Sequence, residues 1–242
     1  MVNPKYKDRL FCLLFGDERY KENILSLYNA LCNTSHQNID DIKIYTIDDV
    51  IYIKMKNDVS ILLDNYLCLW EQQSTYNPNM PIRGLMYYGK MYSRYITENK
   101  LNPYSKKLMK IPTPRYTVFY NGGEEYPSII DLKLSDAFTK PDITHGFEWT
   151  AHMINLNAGK NEQLLNRCKP LQDYMTFINM IRENHKKYPD IKEAVDKAVS
   201  DCISNNILAN FLTKHRAEVV EMCLIEYDEK TLLNTIKEEG RE

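Results

Sequence analysis

The chain lacks most of the short motifs that identify a catalytic site. Its six cysteines are dispersed without a CxxC pair, and its five histidines show neither HxH nor HExxH spacing. We therefore expect no zinc site and no Cys/His nucleophile. With only eight glycines in 242 residues, no phosphate-cradling glycine loop occurs. This absence excludes an ATP-driven mechanism.

Long apolar segments are also absent. The amino terminus has no apolar signal stretch, and no run approaches the roughly 20 apolar residues that a membrane span requires. We interpret the dispersed cysteines as free, buried thiols. Together these absences predict a cytoplasmic protein that does not enter a membrane.

Charge is balanced overall but uneven along the chain. A formal net charge of −2 excludes a coat of positive charge, so any contact with nucleic acid must be local. Between Met80 and Arg115, eight basic residues and five tyrosines accompany the single acid Glu98, for a local charge of +7. Basic residues of this kind can bind phosphates, and the tyrosines among them can stack on exposed bases. A solvated helix face above half-buried tyrosines has the same pattern. The basic residues are Arg83, Lys90, Arg94, Lys100, Lys106, Lys107, Lys110 and Arg115.

Two apolar stretches, residues 59–63 and 66–70, predict a β-hairpin. Asp64 and Asn65 between them suit a two-residue turn. If these two are the central turn residues, Asp58 falls directly opposite Glu71. Opposed residues have Cβ atoms about 4.5–5.5 Å apart and share a face of the sheet.

Two carboxylates in this position repel each other unless a cation lies between them. A hard cation such as Mg²⁺ or Mn²⁺ fits oxygen ligands from Asp58 and Glu71. Gln73 points to the same side as Glu71 and can orient a water or a phosphate oxygen. The alternative is a surface hairpin whose acids lie at a sheet edge and bind no metal.

Several segments of the chain resemble the Rpn recombination-promoting nucleases, or putative transposases, of the PD-(D/E)XK superfamily. The resemblance covers roughly residues 7 to 230. Its clearest segments are Asn57-Asp58-Val59-Ser60, Trp70-Glu71-Gln72-Gln73-Ser74-Thr75-Tyr76-Asn77-Pro78, Ile111-Pro112-Thr113-Pro114, Val118-Phe119-Tyr120-Asn121-Gly122 and Leu132-Lys133-Leu134-Ser135-Asp136-Ala137-Phe138.

The resemblance implies that Asp58 and Glu71 bind Mg²⁺ and that Gln73 assists the attacking water. Most superfamily members have lysine at the third position, whereas the Rpn branch has glutamine. Glutamine supplies only a neutral dipole, so either the metal carries more of the catalysis or another cation enters. Lys56 is a candidate for that cation. Gln72 stands where close relatives have histidine, and we assign it no role.

The predicted elements follow the order helix, three strands, helix, strand. They are a helix at 19–32, a strand at 50–55, the hairpin, a helix at 81–99 and a strand at 115–120. Glu22, on the first helix, is a candidate to complete the metal site, and a solvated side chain is the alternative. Arg83 and Tyr87 are four residues apart on the second helix, so they share one face beside the Glu71 strand.

These elements predict an α/β fold, a restriction-endonuclease-like αβββαβ core with a mixed sheet flanked by helices. The nuclease-like domain spans 1–158, with a further strand near 152–156. A helical carboxy-terminal extension follows at 159–242.

We therefore expect a Mg²⁺-dependent DNA endonuclease. The expected DNA contacts are Arg83, Lys106, Lys107 and Lys110. The alternative is a nucleic-acid-binding or assembly module that keeps the fold but lacks catalysis, as the glutamine at position 73 suggests. The sequence leaves open the oligomeric state, including a homo-oligomer, and the choice between transposition, recombination and defence.

Overall fold

The computed structural model describes residues 5–45, 58–141 and 146–239, with the side chains described as far as Leu224. The predicted strand at 50–55 and Lys56 lie outside the described residues. Within them, none of the helices is both long enough and apolar enough to cross a membrane. All six cysteines are free thiols, as predicted, and Cys12 and Cys32 are only partly buried.

A six-stranded mixed sheet forms the centre of the fold, with strand order β1-β2-β3-β4-β6-β5. The pairs β1–β2, β2–β3 and β5–β6 are antiparallel, whereas β3–β4 and β4–β6 are parallel. The strands are β1 Lys43–Ile44, β2 Asp58–Leu63, β3 Tyr66–Gln73, β4 Thr113–Tyr120, β5 Ile129–Lys133 and β6 Thr150–Asn155. The predicted α/β fold with a mixed sheet and flanking helices is therefore confirmed.

The β2–β3 hairpin has the predicted turn and register. Asp64 and Asn65 have φ values of 48° and 58°, which is the left-handed conformation that a two-residue hairpin turn requires and that Asp and Asn tolerate. The register follows from this turn, and Asp58 is the direct partner of Glu71.

Helices cover both faces of the sheet. They are α1 Lys5–Phe15, α2 Lys21–Cys32, α3 Met80–Glu98, α4 Glu162–Arg167, α5 Lys169–Lys187, α6 Ile191–Ser204 and α7 Ala209–Glu239. Along β3, Cys68 and Trp70 belong to the apolar cluster beneath α1 and α2, while Leu67 and Leu69 belong to the cluster beneath α3. Because β3 is covered on both faces, its first five residues, 66–70, are all apolar.

Close contacts fix α3 against the sheet. Pro81 lies in its first turn, where proline costs no hydrogen bond. A Cβ on Gly84 would lie 2.5 Å from the Tyr116 ring, so only glycine permits this approach. Further along, the Tyr88 hydroxyl lies 2.9 and 2.7 Å from the carbonyl oxygens of Leu67 and Arg115, which share its single proton. These contacts set the first turn of α3 beside the end of β3.

The carboxy-terminal helices share a core with the amino-terminal ones. Phe11 of α1 packs against Phe119 of β4 and against Tyr174 of α5, with ring centroids 5.4 and 5.9 Å apart. The helices predicted after residue 161 are thus present as α4–α7. The predicted boundary between a domain at 1–158 and an extension at 159–242 stays a prediction.

Candidate functional site

The candidate site lies at the open end of the hairpin, where Asp58 opposes Glu71 on the face that α3 covers. Glu71 has no exposed surface. Asp58 is partly exposed as a residue, but its Oδ2 atom is buried. The pair is thus held in a poorly solvated environment, where charge is costly.

Three side chains hold the Glu71 carboxylate. The Tyr116 hydroxyl donates to Oε1 at 2.8 Å, and Gln73 Nε2 donates to Oε2 at 3.2 Å. Arg83 Nη2 lies 3.0 Å from the same Oε2 and also donates to the Tyr87 hydroxyl at 3.2 Å. Both oxygens of Glu71 therefore have donors in this structure.

Asp58 is less well satisfied than Glu71. Its Oδ2 has no hydrogen-bond partner among the described residues. Burial raises the pKa of Asp58 to about 6, against a hydrogen bond from Tyr87 and the charge of Arg83, which lower it. A buried carboxylate oxygen without a donor is a position that a cation can fill.

The pKa of Glu71 is raised further, to about 8. Burial is the largest cause and the charge of Asp58 the second, while Arg83 and Tyr116 lower it. The charge of Asp58 therefore disfavours the ionisation of Glu71, as expected for opposed carboxylates without a cation between them.

The donor set fits a small hard cation. Among the described residues no group of three or more His, Cys, Asp or Glu side chains could hold a metal. Mg²⁺ needs no such cage, because one or two carboxylates usually hold it together with waters and substrate phosphate oxygens. The two acids and the partnerless Asp58 Oδ2 meet this requirement.

The other predicted site residues divide into two groups. Gln73, Arg83 and Tyr87 lie at the carboxylate pair, as their spacing predicted. Glu22 is exposed in the first turn of α2, in agreement with the solvated alternative. It is not part of the cluster around Glu71.

The basic stretch from Met80 to Arg115 is split between two places. Arg83 reaches Glu71, whereas Lys106, Lys107 and Lys110 are exposed in the connection between α3 and β4. That connection ends at Thr113, which pairs with Tyr66 at the start of β3. Glu71 lies five residues further along the strand, so the connection and Glu71 lie toward opposite ends of β3, with about 16 Å between Tyr66 and Glu71.

The tyrosines of this stretch also divide. Tyr87 and Tyr88 are buried, and Tyr92 and Tyr95 are partly buried, as the helix-face alternative predicts. Tyr104 is 95% exposed. Only this tyrosine retains the free ring face that stacking on a base requires.

Sequence reasoning missed two residues of the site. Tyr116 lies on the predicted fourth strand, but its contact with Glu71 depends on the β3–β4 register, which no local pattern indicates. Asp8 lies on α1, and its charge adds a small increase to the pKa of Glu71. The spacing of Leu10, Phe11, Leu14 and Phe15 was a signal for that helix.

Gln72 faces the opposite side of β3 and is 1% exposed. Its Nε2 donates to Asn121 Oδ1 at 2.8 Å, and Lys7 Nζ donates to the same oxygen at 3.2 Å. This buried network ties the ends of β3 and β4 together. Gln72 thus stabilises the strand end that carries Glu71 and Gln73.

Comparison of this chain with protein-family models, curated proteins and solved structures gives no match. The resemblance of its segments to the Rpn nucleases therefore stays a prediction. The functional interpretation below depends on the geometry of the site and on that resemblance.

Proposed function

We propose that the protein is a metal-dependent DNA endonuclease that hydrolyses phosphodiester bonds. The opposed, buried pair of Asp58 and Glu71 carries this proposal, because each acid has a raised pKa and Asp58 Oδ2 has no partner among the described residues. The element order α2, β1, β2, β3, α3, β4 supports it, since helix, three strands, helix, strand is the order of the proposed restriction-endonuclease-like core. The first strand in this order is the two-residue β1, because the predicted strand at 50–55 lies outside the described residues.

Asp58 and Glu71 would hold Mg²⁺ or Mn²⁺. When bound, such an ion lowers the pKa of a coordinated water and polarises the scissile phosphate. Gln73 is the residue that orients the water. Its Nε2 donates to Glu71, and its amide oxygen is then directed to accept a hydrogen bond from the nucleophile.

Arg83 supplies the positive charge that Gln73 lacks. Its guanidinium is paired with Glu71, yet its side chain is 33% exposed and can therefore reach a phosphate at the surface. A guanidinium binds phosphate through two parallel hydrogen bonds and stays charged at any working pH. We assign to Arg83 the role that lysine has in most members of the superfamily. Lys56, the candidate from the sequence, lies outside the described residues.

The proposed partner is DNA, as the resemblance to the Rpn nucleases implies. The proposed location is the cytoplasm, because of the dispersed cysteines and the lack of long apolar segments in the sequence. Arg83 would contact the phosphate that is cleaved. Lys106, Lys107 and Lys110 would contact the DNA backbone at phosphates further from the cleaved bond, because the connection that carries them joins the end of β3 opposite Glu71. DNA binding is thus expected to involve two separate contact regions.

The second candidate is a nucleic-acid-binding or assembly module without catalysis. The contact between Arg83 and Glu71 favours it, because a guanidinium already balances one of the two acids without any metal. Under this alternative the carboxylate pair is a structural feature of the hairpin, and glutamine at position 73 marks the loss of activity.

Supercoiled plasmid distinguishes the two candidates. The endonuclease nicks it in Mg²⁺, stops in EDTA, and loses nicking in the Asp58→Asn variant. The module binds the plasmid equally well in EDTA and Mg²⁺ and nicks it in neither. An Asp40→Asn variant is the matched control, because Asp40 is an exposed acid that precedes β1 near the turn of the hairpin, at the end opposite Asp58.

A further inference from the structure

The connection between α3 and β4, residues 99–112, combines positive charge with exposed apolar side chains. We call it the α3–β4 loop. It contains four lysines and no acid, and all four lysines are exposed. Tyr104 is 95% exposed and Leu108 is 78% exposed. The lysines are Lys100, Lys106, Lys107 and Lys110.

The loop is ordered by its own hydrogen bonds. Asn102 Oδ1 accepts from the backbone N–H of Tyr104 at 3.0 Å, and the Asn102 carbonyl accepts from that of Ser105 at 3.1 Å. Ser105 Oγ then accepts from the backbone N–H of Lys107 at 3.1 Å. At the far end, the Tyr92 hydroxyl donates to the Pro112 carbonyl at 2.7 Å. These hydrogen bonds fix the backbone of the turn while the Tyr104 ring stays in solvent, so binding costs little backbone conformational entropy.

A line of basic residues connects this loop with the carboxylate pair. On α3, Lys90 and Arg94 follow Arg83 by seven and eleven residues, which places each of them within about 20° of Arg83 around the helix. The line is about 16 Å long. It begins at Arg83, which contacts Glu71, and continues toward the carboxyl end of α3, where the loop starts. Basic residues in a line match the phosphates of an extended nucleic acid better than the headgroups of a flat lipid surface.

We propose that the α3–β4 loop binds unpaired nucleotides, with Tyr104 stacking on a base and Lys106 and Lys107 contacting phosphates. In a duplex the bases are paired and stacked, so the Tyr104 ring finds no free base face. An unpaired base offers one. The substrate of the carboxylate site is then DNA with a single-stranded segment several nucleotides from the cleaved bond. This substrate assignment rests on the proposed function, whereas binding at the loop does not.

Leu108 and Ile111 are also exposed in the loop, and lysines beside apolar side chains suit an anionic lipid surface as well. The line of basic residues on α3 favours nucleic acid. The experiment must therefore distinguish binding to lipid from binding to nucleic acid.

Fluorescence anisotropy in EDTA measures this binding without cleavage. The probes are a labelled single strand of about 16 nucleotides and the corresponding blunt duplex. Tyr104→Ala should weaken binding of the single strand by about 5- to 150-fold and change duplex binding less than about 2-fold. Tyr104→Phe should bind the single strand with the wild-type affinity, because it keeps the aromatic ring.

The lysines are tested by the salt dependence of the same binding. Changing Lys106 and Lys107 to Ala should reduce the log–log salt slope for the single strand by about 1.4. The matched control changes Lys186 and Lys187, two exposed lysines at the end of α5, and should leave the slope unchanged.

The proposal is overturned if Tyr104→Ala binds the single strand as wild type does. It is also overturned if vesicles containing anionic lipid bind in a Tyr104-dependent manner while the single strand does not bind. If Asp58→Asn binds the single strand normally but nothing cleaves DNA in Mg²⁺, the loop assignment holds and only the proposed nuclease function fails.

Discussion

Arg83 Nη2 lies 3.0 Å from Glu71 Oε2, which joins the partly exposed surface of α3 to a carboxylate with no exposed surface. The contact gives the metal-free site part of the positive charge that two opposed acids need. Under the proposed function, a metal and Arg83 would act on the same carboxylate. Arg83 therefore stabilises the metal-free site, and its guanidinium would become available to a phosphate once a cation balanced Glu71.

Arg83→Ala tests this relationship. The metal-free variant should be less stable at pH 9, where Glu71 with its pKa of about 8 is mostly ionised and loses its cationic partner, by about 1 kcal/mol. At pH 5 the loss should be smaller, because a Glu71 with a raised pKa is protonated there. Saturating Mg²⁺ should increase the melting temperature of the variant more than that of the wild type, as differential scanning fluorimetry would show. Arg94→Ala, on the same helix, is the control. Equal loss at both pH values would contradict the account.

The stability of the metal-free protein should decrease as pH rises from about 4 to about 8. Folding raises the pKa of Asp58 from 3.8 to about 6 and that of Glu71 from 4.5 to about 8, chiefly through burial. Between these values the native state binds more protons than the unfolded chain, so stability falls with pH. The two shifts together set an upper limit of roughly 8 kcal/mol on this decrease, which denaturant unfolding in EDTA measures. Changing both acids to their amides should flatten the profile, and a profile unaltered by that change would show that the pair is not its cause.

Gln73 should behave as a positioning residue for the water. Gln73→Ala is expected to slow nicking by about 10- to 1000-fold, in the range of one lost transition-state contact, with little change in DNA binding. Gln73→Lys should retain activity, because it restores the residue that most of the superfamily has. Single-turnover nicking rates at saturating protein measure both variants. Gln73→Ala cleaving at the wild-type rate would remove Gln73 from the mechanism.

Tyr116 should support Glu71 through its hydroxyl alone. Tyr116→Phe removes the donor to Oε1 and should cost about 1–3 kcal/mol of stability above pH 8, where Glu71 is ionised. It should also weaken Mg²⁺ binding, since Glu71 is then held in place by one donor fewer. Tyr120→Phe is the matched control on the same strand, because its hydroxyl contacts the Glu124 carbonyl instead. If the two variants weaken Mg²⁺ binding equally, the assigned role of Tyr116 is wrong.

Much of the site could be predicted because local rules determine it. The Asp64-Asn65 turn fixes the hairpin register, and that register alone brings Asp58 opposite Glu71. Strand alternation places Gln73 beside Glu71, and helical spacing places Tyr87 beside Arg83.

The remaining features depend on contacts between distant parts of the chain. Tyr116 reaches Glu71 only through the parallel pairing of β3 and β4, whose register is set by tertiary packing. Strand β5 was not predicted, although Ile130 and Leu132 alternate with Asp131 and Lys133, because an alternation this short does not distinguish a strand from a loop. A helical pattern likewise did not indicate which helix lies nearest the carboxylates. Glu22 of α2 was therefore considered, whereas the acid whose charge raises the pKa of Glu71 is Asp8 of α1.

The central claim is that Asp58 and Glu71 bind a divalent cation and cleave DNA. Its most direct test is the rate of plasmid nicking in Mg²⁺ by wild type and by Asp58→Asn, with the folded state of both checked by circular dichroism. The account predicts a loss of at least about 1000-fold in a variant that is as stable as the wild type or more stable without metal, because one of two crowded acids is gone. Nicking by Asp58→Asn at the wild-type rate would contradict it.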